Sequence, residues 1–201
     1  MSPPGTHPRP AAFLDRDGVI NVDHGYVHRR EDFAFVPGVL DGARRLHDRG
    51  YALVVATNQS GIGRGLYTGK DFVALTDWMK QSFSAAGAPL AGVYFCPHHP
   101  TEAVSAYRTA CRCRKPGPGM LLQAAEELDL DLAASAMFGD RASDLEAARA
   151  AGIPTRVLLA TDGVGEPAPV PDGLATHSYV RLDDALADVE LAGRLEAMAG
   201  P

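Results

Sequence analysis

Tyr51-Ala52-Leu53-Val54-Val55-Ala56 runs directly into Thr57-Asn58-Gln59-Ser60, and the fold is decided at that junction. The apolar hexapeptide, rich in β-branched residues, reads as a strand, and Thr57-Asn58 ends it. Working outward, the same event recurs. Ala11-Ala12-Phe13-Leu14 is followed by Asp15-Arg16-Asp17, Gly92-Val93-Tyr94-Phe95 by Cys96-Pro97-His98, and Ser135-Ala136-Met137-Phe138 by Gly139-Asp140-Arg141. Thr155-Arg156-Val157-Leu158-Leu159 is a fifth strand and Ser178-Tyr179-Val180 a short sixth. Helical spacing falls between them. Val39, Leu40, Ala43 and Leu46 follow Pro37, which suits a first helical turn. Phe72, Leu75, Met79 and Phe83 form a second stripe, and Leu121, Ala124, Ala125 and Leu128 a third. Leu145, Ala148 and Ala151 form a fourth, stopped by Gly152. These stripes are core faces and carry no chemistry.

Strands alternating with helices imply a parallel sheet covered on both faces. Ligands of such sheets bind beyond the carboxyl ends of the strands. Here four of those ends carry carboxylates, a hydroxyl or a cysteine/histidine cluster, which is the signature of a reactive site. The departures from the pattern are residues 18–36, 96–118 and 161–177; the last, with Pro167, Pro169 and Pro171, reads as a surface connection.

Composition narrows the function. The 201 residues are 46% hydrophobic and 22% charged, with 19 Lys+Arg against 25 Asp+Glu and a net charge of −6. One domain of this size buries about 70% of its unfolded surface. The acidic balance argues against binding nucleic acid through bulk charge, and recurring apolar residues argue against disorder. No apolar run approaches the roughly 18 to 20 residues of a membrane span. Met1–Pro10 has four prolines and no apolar core, so it reads as a flexible lead-in and not as a secretory signal. The expected compartment is the cytoplasm and the expected state a monomer.

Asp15 and Asp17, two apart beyond a strand, can face one way if the chain turns, and Gly18 permits the turn. Such a pair can bind Mg²⁺, with Asp140 completing the cage. One carboxylate can attack phosphorus while the other carries a proton. Thr57, Asn58 and Lys115 are donors for the equatorial oxygens. Taken singly, each has a plainer role, as a cap or a solvated lysine. Asp144, beside Ser143 at a helix start, reads as a cap alone.

Cys96, Cys111 and Cys113 lie within 18 residues. An odd, clustered set points to a metal and not to a disulfide framework. Cys96-x-His98 and Cys111-x-Cys113 offer three sulfurs and an imidazole, a closed set suited to structural Zn²⁺, with His99 as the alternative to His98. Folding that loop around zinc would also place Arg114 and Lys115.

Phe13-Leu14-Asp15-Arg16-Asp17-Gly18-Val19-Ile20-Asn21 resembles the first motif of the haloacid dehalogenase-like phosphatases, and Ala56-Thr57-Asn58-Gln59-Ser60-Gly61 the second. Arg114-Lys115-Pro116 resembles the third, and Phe138-Gly139-Asp140-Arg141 with Asp144 the fourth. Asp23-His24-Gly25-Tyr26-Val27, Cys96-Pro97-His98-His99-Pro100 and Cys111-Arg112-Cys113 are similar to the subfamily of heptose bisphosphate and histidinol-phosphate phosphatases. The resemblance implies a Rossmann-like doubly wound α/β domain over residues 11–201, with a zinc loop at 96–113 and no large cap. It implies Asp15 as nucleophile and Asp17 as general acid and then base. Mg²⁺ would rest on Asp15, the Asp17 carbonyl and Asp140, and Thr57 and Lys115 would hold the phosphoryl group. Substrate contacts would come from Asp23, His24, Gly25, Tyr26, Thr57, Asn58, Gln59, Ser60, Arg114, Lys115 and Arg141. The resemblance favours His98 as the zinc ligand. Arg141 stands where the nearest relatives lead one to expect lysine, exchanging a point charge for a planar fork.

The expected activity is cleavage of the C7 phosphate of a heptose 1,7-bisphosphate, in nucleotide-activated heptose biosynthesis. Arg114 and Arg141 would hold the other phosphate. Histidinol-phosphate hydrolysis is the alternative within the enzyme class. Outside it stand a receiver-like phospho-acceptor domain, which Asp17 argues against, and a zinc-stapled interaction module, which would leave the three aspartates without a shared purpose.

Overall fold

Leu14 and Ala12 face one side of the central sheet and Phe13 and Ala11 the other, and all four are buried. That is why β1 (Arg9–Leu14) reads as an unbroken apolar run: a parallel strand covered on both faces has no solvent side. β2 (Ala52–Asn58) repeats the arrangement, with Leu53 and Val55 on one face and Ala52, Val54 and Ala56 on the other. In the computed structural model, which describes residues 8–199, β3 (Leu90–Cys96), β4 (Leu130–Gly139), β5 (Thr155–Leu159) and β6 (His177–Tyr179) complete a parallel sheet ordered β3-β2-β1-β4-β5-β6.

One layer contains α1 (Val39–Asp48), α3 (Gly69–Ala85), α6 (Leu182–Ala187) and α7 (Val189–Ala199); the other contains α4 (Gly119–Leu128) and α5 (Ala142–Ala150). A short α2 (Ser60–Gly63) follows β2. α3 opens on a capping box: Asp71 N–H donates to Thr68 Oγ1 at 3.2 Å and Thr68 N–H to Asp71 Oδ2 at 2.8 Å. Its predicted stripe, Phe72, Leu75, Met79 and Phe83, is buried throughout. α5 stops as expected, with Gly152 at φ +84°.

Several boundaries differ from the sequence reading. β1 starts at Arg9, inside the lead-in expected over residues 1–10, of which residues 1–7 lie outside the described residues. Pro37 precedes the left-handed N-cap Gly38, so it stands outside α1 and not in its first turn. β4 begins five residues earlier than Ser135, across a register shift where Ala11 N–H donates to Ser135 Oγ at 2.9 Å. α6 and α7, marked by no periodic stripe in the sequence, complete the layer of α1 and α3: α7 packs on β1 and β4 with Leu191 and Leu195 in the core, and α6 packs against α1 and β6 with Leu182 and Leu186. No described helix is long and apolar enough to cross a membrane.

The order 3-2-1-4-5-6 reverses direction between β1 and β4. The crevice beyond the carboxyl ends at that reversal is where ligands of this architecture bind.

Candidate active site

Because β2, β1 and β4 are neighbours, Thr57 at the end of β2, Asp15 after β1 and Asp140 after β4 stand side by side. Beyond them opens a cavity of about 580 Å³. Asp15, Asp17, Asp23, Gly25, Tyr26, Thr57, Asn58, Gln59, Ser60, Arg114, Lys115 and Arg141 line it. His24 is exposed and is not among the lining residues.

Lys115, 3% exposed, is the electrostatic centre. Its Nζ donates to Ala56 O at 2.7 Å, Asp15 Oδ1 at 2.9 Å and Asp144 Oδ1 at 2.7 Å. Burial works against the ammonium charge, but Asp144 and Asp15 outweigh it and hold Lys115 protonated well above its usual range. Asn58 fixes the lysine backbone by a reciprocal pair: Nδ2 donates to Lys115 O and Lys115 N–H donates to Oδ1, both at 3.1 Å. Asp144 corrects the reading of it as a cap alone. One oxygen does cap α5, accepting Arg141 N–H at 3.0 Å, while the other binds Lys115.

Asp15, Asp140 and Asp144 gather within 4.8 Å of one another. Burial, and then the neighbouring carboxylates, push Asp15 up to about 7 despite Lys115. Burial and Asp144 push Asp140 up to about 6. Thr161 Oγ1 donates to Asp140 Oδ2 at 2.8 Å, whereas buried Asp140 Oδ1 has no partner. Three carboxylates share chiefly one lysine, and one buried oxygen goes unpaired. A hard divalent cation fits this donor set, because it supplies the missing positive charge and takes oxygen ligands. Gly18, at φ +88°, is required here, since a Cβ would lie 2.4 Å from Asp140 Oδ2.

Asp17 turns away from that trio. Its Oδ1 accepts from Arg16 Nη2 at 2.7 Å, Arg16 Nε at 3.1 Å and Asn21 Nδ2 at 3.1 Å, and its Oδ2 from Arg16 Nη2 and Gln59 Nε2, each at 2.9 Å. Arg16, only 2% exposed, also donates to Val27 O. The sequence shows an arginine between two aspartates, but only the structure shows that it is buried.

At the rim, Arg141 Nη2 lies 3.0 Å from Asp23 Oδ2, and Asp23 N–H donates to Asp162 Oδ1 at 2.8 Å. Thr161 and Asp162 thus correct the reading of 161–177 as a surface connection: its first two residues brace the site. They follow β5, and the strand-end rule applied to that fifth strand would have found them. Arg64, which stacks over the Tyr26 ring at 5.6 Å, and Tyr67 also line the cavity and had no motif to announce them.

The second cluster sits beside the first. Cys96, Cys111 and Cys113 Sγ atoms are 3.1–3.5 Å apart, and His98 Nδ1 lies 3.4 Å from Cys113 and 3.6 Å from Cys96. These edges approach the about 3.8 Å expected of a tetrahedron with Zn–S bonds of about 2.3 Å. Arg114 N–H donates to Cys111 Sγ at 3.4 Å, a contact that suits a thiolate. His99 points elsewhere, its Nδ1 accepting Glu102 N–H at 2.9 Å, and it is His98 that stands with the three cysteines. Arg114 Nη1 donates to His98 O, tying the cage to the cavity wall.

Comparison with known proteins agrees with this geometry. A family model described as HAD-hydrolase-like matches residues 112–189. The chain is 51% identical to the D-glycero-beta-D-manno-heptose-1,7-bisphosphate 7-phosphatase of Yersinia pestis over 91% of its own length and 94% of that protein. To the enzyme of the same name from Escherichia coli (strain K12) it is 54% identical, over 76% of this chain and 80% of that one. The crystal structure of D,D-heptose 1,7-bisphosphate phosphatase from B. bronchiseptica, complexed with magnesium and phosphate, superposes with a TM-score of 0.73 at 33% identity, covering 86% and 93% of the two chains.

Proposed function

The chain belongs to the haloacid dehalogenase-like hydrolases, and from that membership we propose that it removes the C7 phosphate of D-glycero-β-D-manno-heptose 1,7-bisphosphate, as its relatives' names indicate for them. The observation that carries the reading is the buried Asp15–Lys115–Asp144 cluster, with Asp140 beside it, at the sheet's reversal point.

The roles are those the family resemblance implies, and the contacts support them. Asp15 Oδ1 carries the bonds from Lys115 and Arg16 N–H, so Oδ2 is the nucleophile. Its attack on the C7 phosphorus forms an aspartyl-phosphate while Asp17 gives a proton to the departing sugar oxygen. Asp17 then takes a proton from water, whose oxygen attacks phosphorus. Phosphate leaves and the Asp15 carboxylate is restored. Thr57 and Lys115 steady the transferred group, and Asn58 keeps the Lys115 backbone in register.

Asp15, the Asp17 carbonyl and Asp140 would hold Mg²⁺, which when bound neutralises the repulsion between nucleophile and phosphate. Cys96, His98, Cys111 and Cys113 would hold Zn²⁺ as a staple for the loop that presents Arg114 and Lys115. Arg114 and Arg141, at the mouth, suit the phosphate that stays on the sugar. The Asp23–Arg141 pair leaves the fork a shared partner, which the anionic substrate would complete.

The test is phosphate release with Mg²⁺ from each anomer of heptose 1,7-bisphosphate and from histidinol phosphate, with Asp15→Asn as the blank. Preference for the β anomer is expected. Faster turnover of histidinol phosphate would overturn the substrate while keeping the chemistry.

A further inference from the structure

Gln59 lies in the second motif, yet every hydrogen bond of its side chain stays inside the protein. It is 2% exposed. Nε2 donates to Asp17 Oδ2 at 2.9 Å and to Thr57 Oγ1 at 2.8 Å, so both of its N–H groups are used. Oε1 accepts a hydrogen bond from the hydroxyl of Tyr67. The amide therefore ties the carboxylate that moves protons to the hydroxyl that faces the phosphoryl group. Because Gln59 fills a lone pair of Thr57 Oγ1, the Thr57 O–H is left to donate elsewhere, and the phosphoryl oxygens are the acceptors at hand.

An amide can be turned over. Rotated by half a turn, Gln59 would set Oε1 against the Asp17 carboxylate, acceptor against anion, and would lose its donation to Thr57. A donor fixed opposite Oε1 opposes that turn, and Tyr67 is built to be such a donor. Its ring stacks on His28 at 4.9 Å with 4° between planes, and it packs with Ile62 and Phe72. It also lies against Gly61, where a Cβ would come within 2.1 Å of Tyr67 Cε1. Burial pushes the hydroxyl up to about 12, so it keeps its proton at working pH. Tyr67 is 6% exposed, and this hydrogen bond is the use its hydroxyl has in the structure.

We propose that Tyr67 is a positioning residue: its hydroxyl fixes the Gln59 amide, and through it the Asp17 carboxylate and the Thr57 hydroxyl. The inference rests on Asp17 as the acid and base, and the test separates the two.

Tyr67→Phe keeps the ring, the stacking and the Gly61 contact, and removes one donor. With heptose 1,7-bisphosphate and Mg²⁺, kcat is expected to fall roughly tenfold, the rate equivalent of about one hydrogen bond, while KM stays within about twofold. Acid-quenched samples should contain more aspartyl-phosphate than wild type at steady state, because the water-attack step depends on Asp17. In an Asp17→Asn background, which should itself prolong the phosphoenzyme, Tyr67→Phe should add less to its lifetime than it adds in wild type, the remainder being the effect carried through Thr57. Wild-type kcat in Tyr67→Phe would overturn the proposal. So would a loss confined to KM, or a full additional effect in the Asp17→Asn background. If Asp17→Asn instead turns over like wild type, it is the acid/base reading that fails.

Discussion

The floor of the cavity and its Cys/His wall present reactive side chains in opposite ways. The floor is set by register. Asp15, Thr57 and Asp140 stand at the ends of three adjacent parallel strands whose pairing runs Leu14 with Val55 and with Phe138. The wall is a loop between β3 and α4 with a single 3₁₀ turn, Ser105–Tyr107, and its shape depends on four side chains meeting at a point. Backbone ladders hold the floor whether or not a metal is bound, whereas the wall would lean on the zinc proposed for it. The proposed nucleophile and Mg²⁺ ligands thus stand at strand ends, while the cations Arg114 and Lys115 come from the loop.

The sharpest way to separate them is Asp15→Asn. It removes the nucleophile from the floor while leaving the sheet pairing untouched, so turnover should drop by at least about a thousandfold. The folded protein should be no less stable, because an amide relieves one of three crowded carboxylates. Loss of the circular dichroism signal in this variant would show that the floor is not the independent scaffold described.

Cys111→Ser attacks the wall. Turnover should fall about 10- to 100-fold through misplacement of Arg114 and Lys115, with bound zinc lost and the sheet's far-ultraviolet signal kept. Full activity without zinc, measured by metal analysis beside turnover, would break the comparison from the other side.

How legible each region was follows the same division. The strands of the floor announce themselves as apolar runs, and their polar ends could be named residue by residue because position along a strand translates directly into position in space. The Cys/His set was legible from ligand chemistry, but spacing alone left His98 and His99 equivalent until Nδ1 of His99 was seen accepting Glu102 N–H. What stayed hidden were supports whose partners no pattern pairs: Thr161 to Asp140 across 21 residues, Asp162 to Asp23 across 139, and Tyr67 to Gln59 across 8. No local period encodes such pairs. Arg16 was hidden differently, because charge beside a motif reads as surface until burial shows otherwise.

Thr161→Val tests one of those hidden supports. Asp140 Oδ2 would lose its donor while Oδ1 stays unpaired, so the carboxylate should be freer to rotate. Mg²⁺ affinity, read by calorimetry, should weaken by about tenfold, and Thr161→Ser should restore it. An unchanged affinity would mean that the floor positions Asp140 without help from β5.

The smallest effect is in pH dependence, and it distinguishes the two regions without a mutation. In metal-stripped protein the folded floor binds protons more tightly than the unfolded chain, since Asp15 is raised to about 7 and Asp140 to about 6 from the ordinary aspartate value of 3.8. Between about pH 4 and pH 7 the native state therefore carries more protons than the unfolded one, and stability falls as pH rises through that window. The contribution is fully present below the unfolded value and gone above about 7. Mg²⁺ competes with the same protons, so its stabilising effect in thermal unfolding should grow from pH 5 to pH 7.5. Asp15→Asn should flatten both trends. Zinc removal should lower the melting temperature and, by loosening Lys115 from Asp15, let the fall in stability run to higher pH. A window unmoved by zinc removal would mean that the sheet holds the floor's electrostatics without help from the wall.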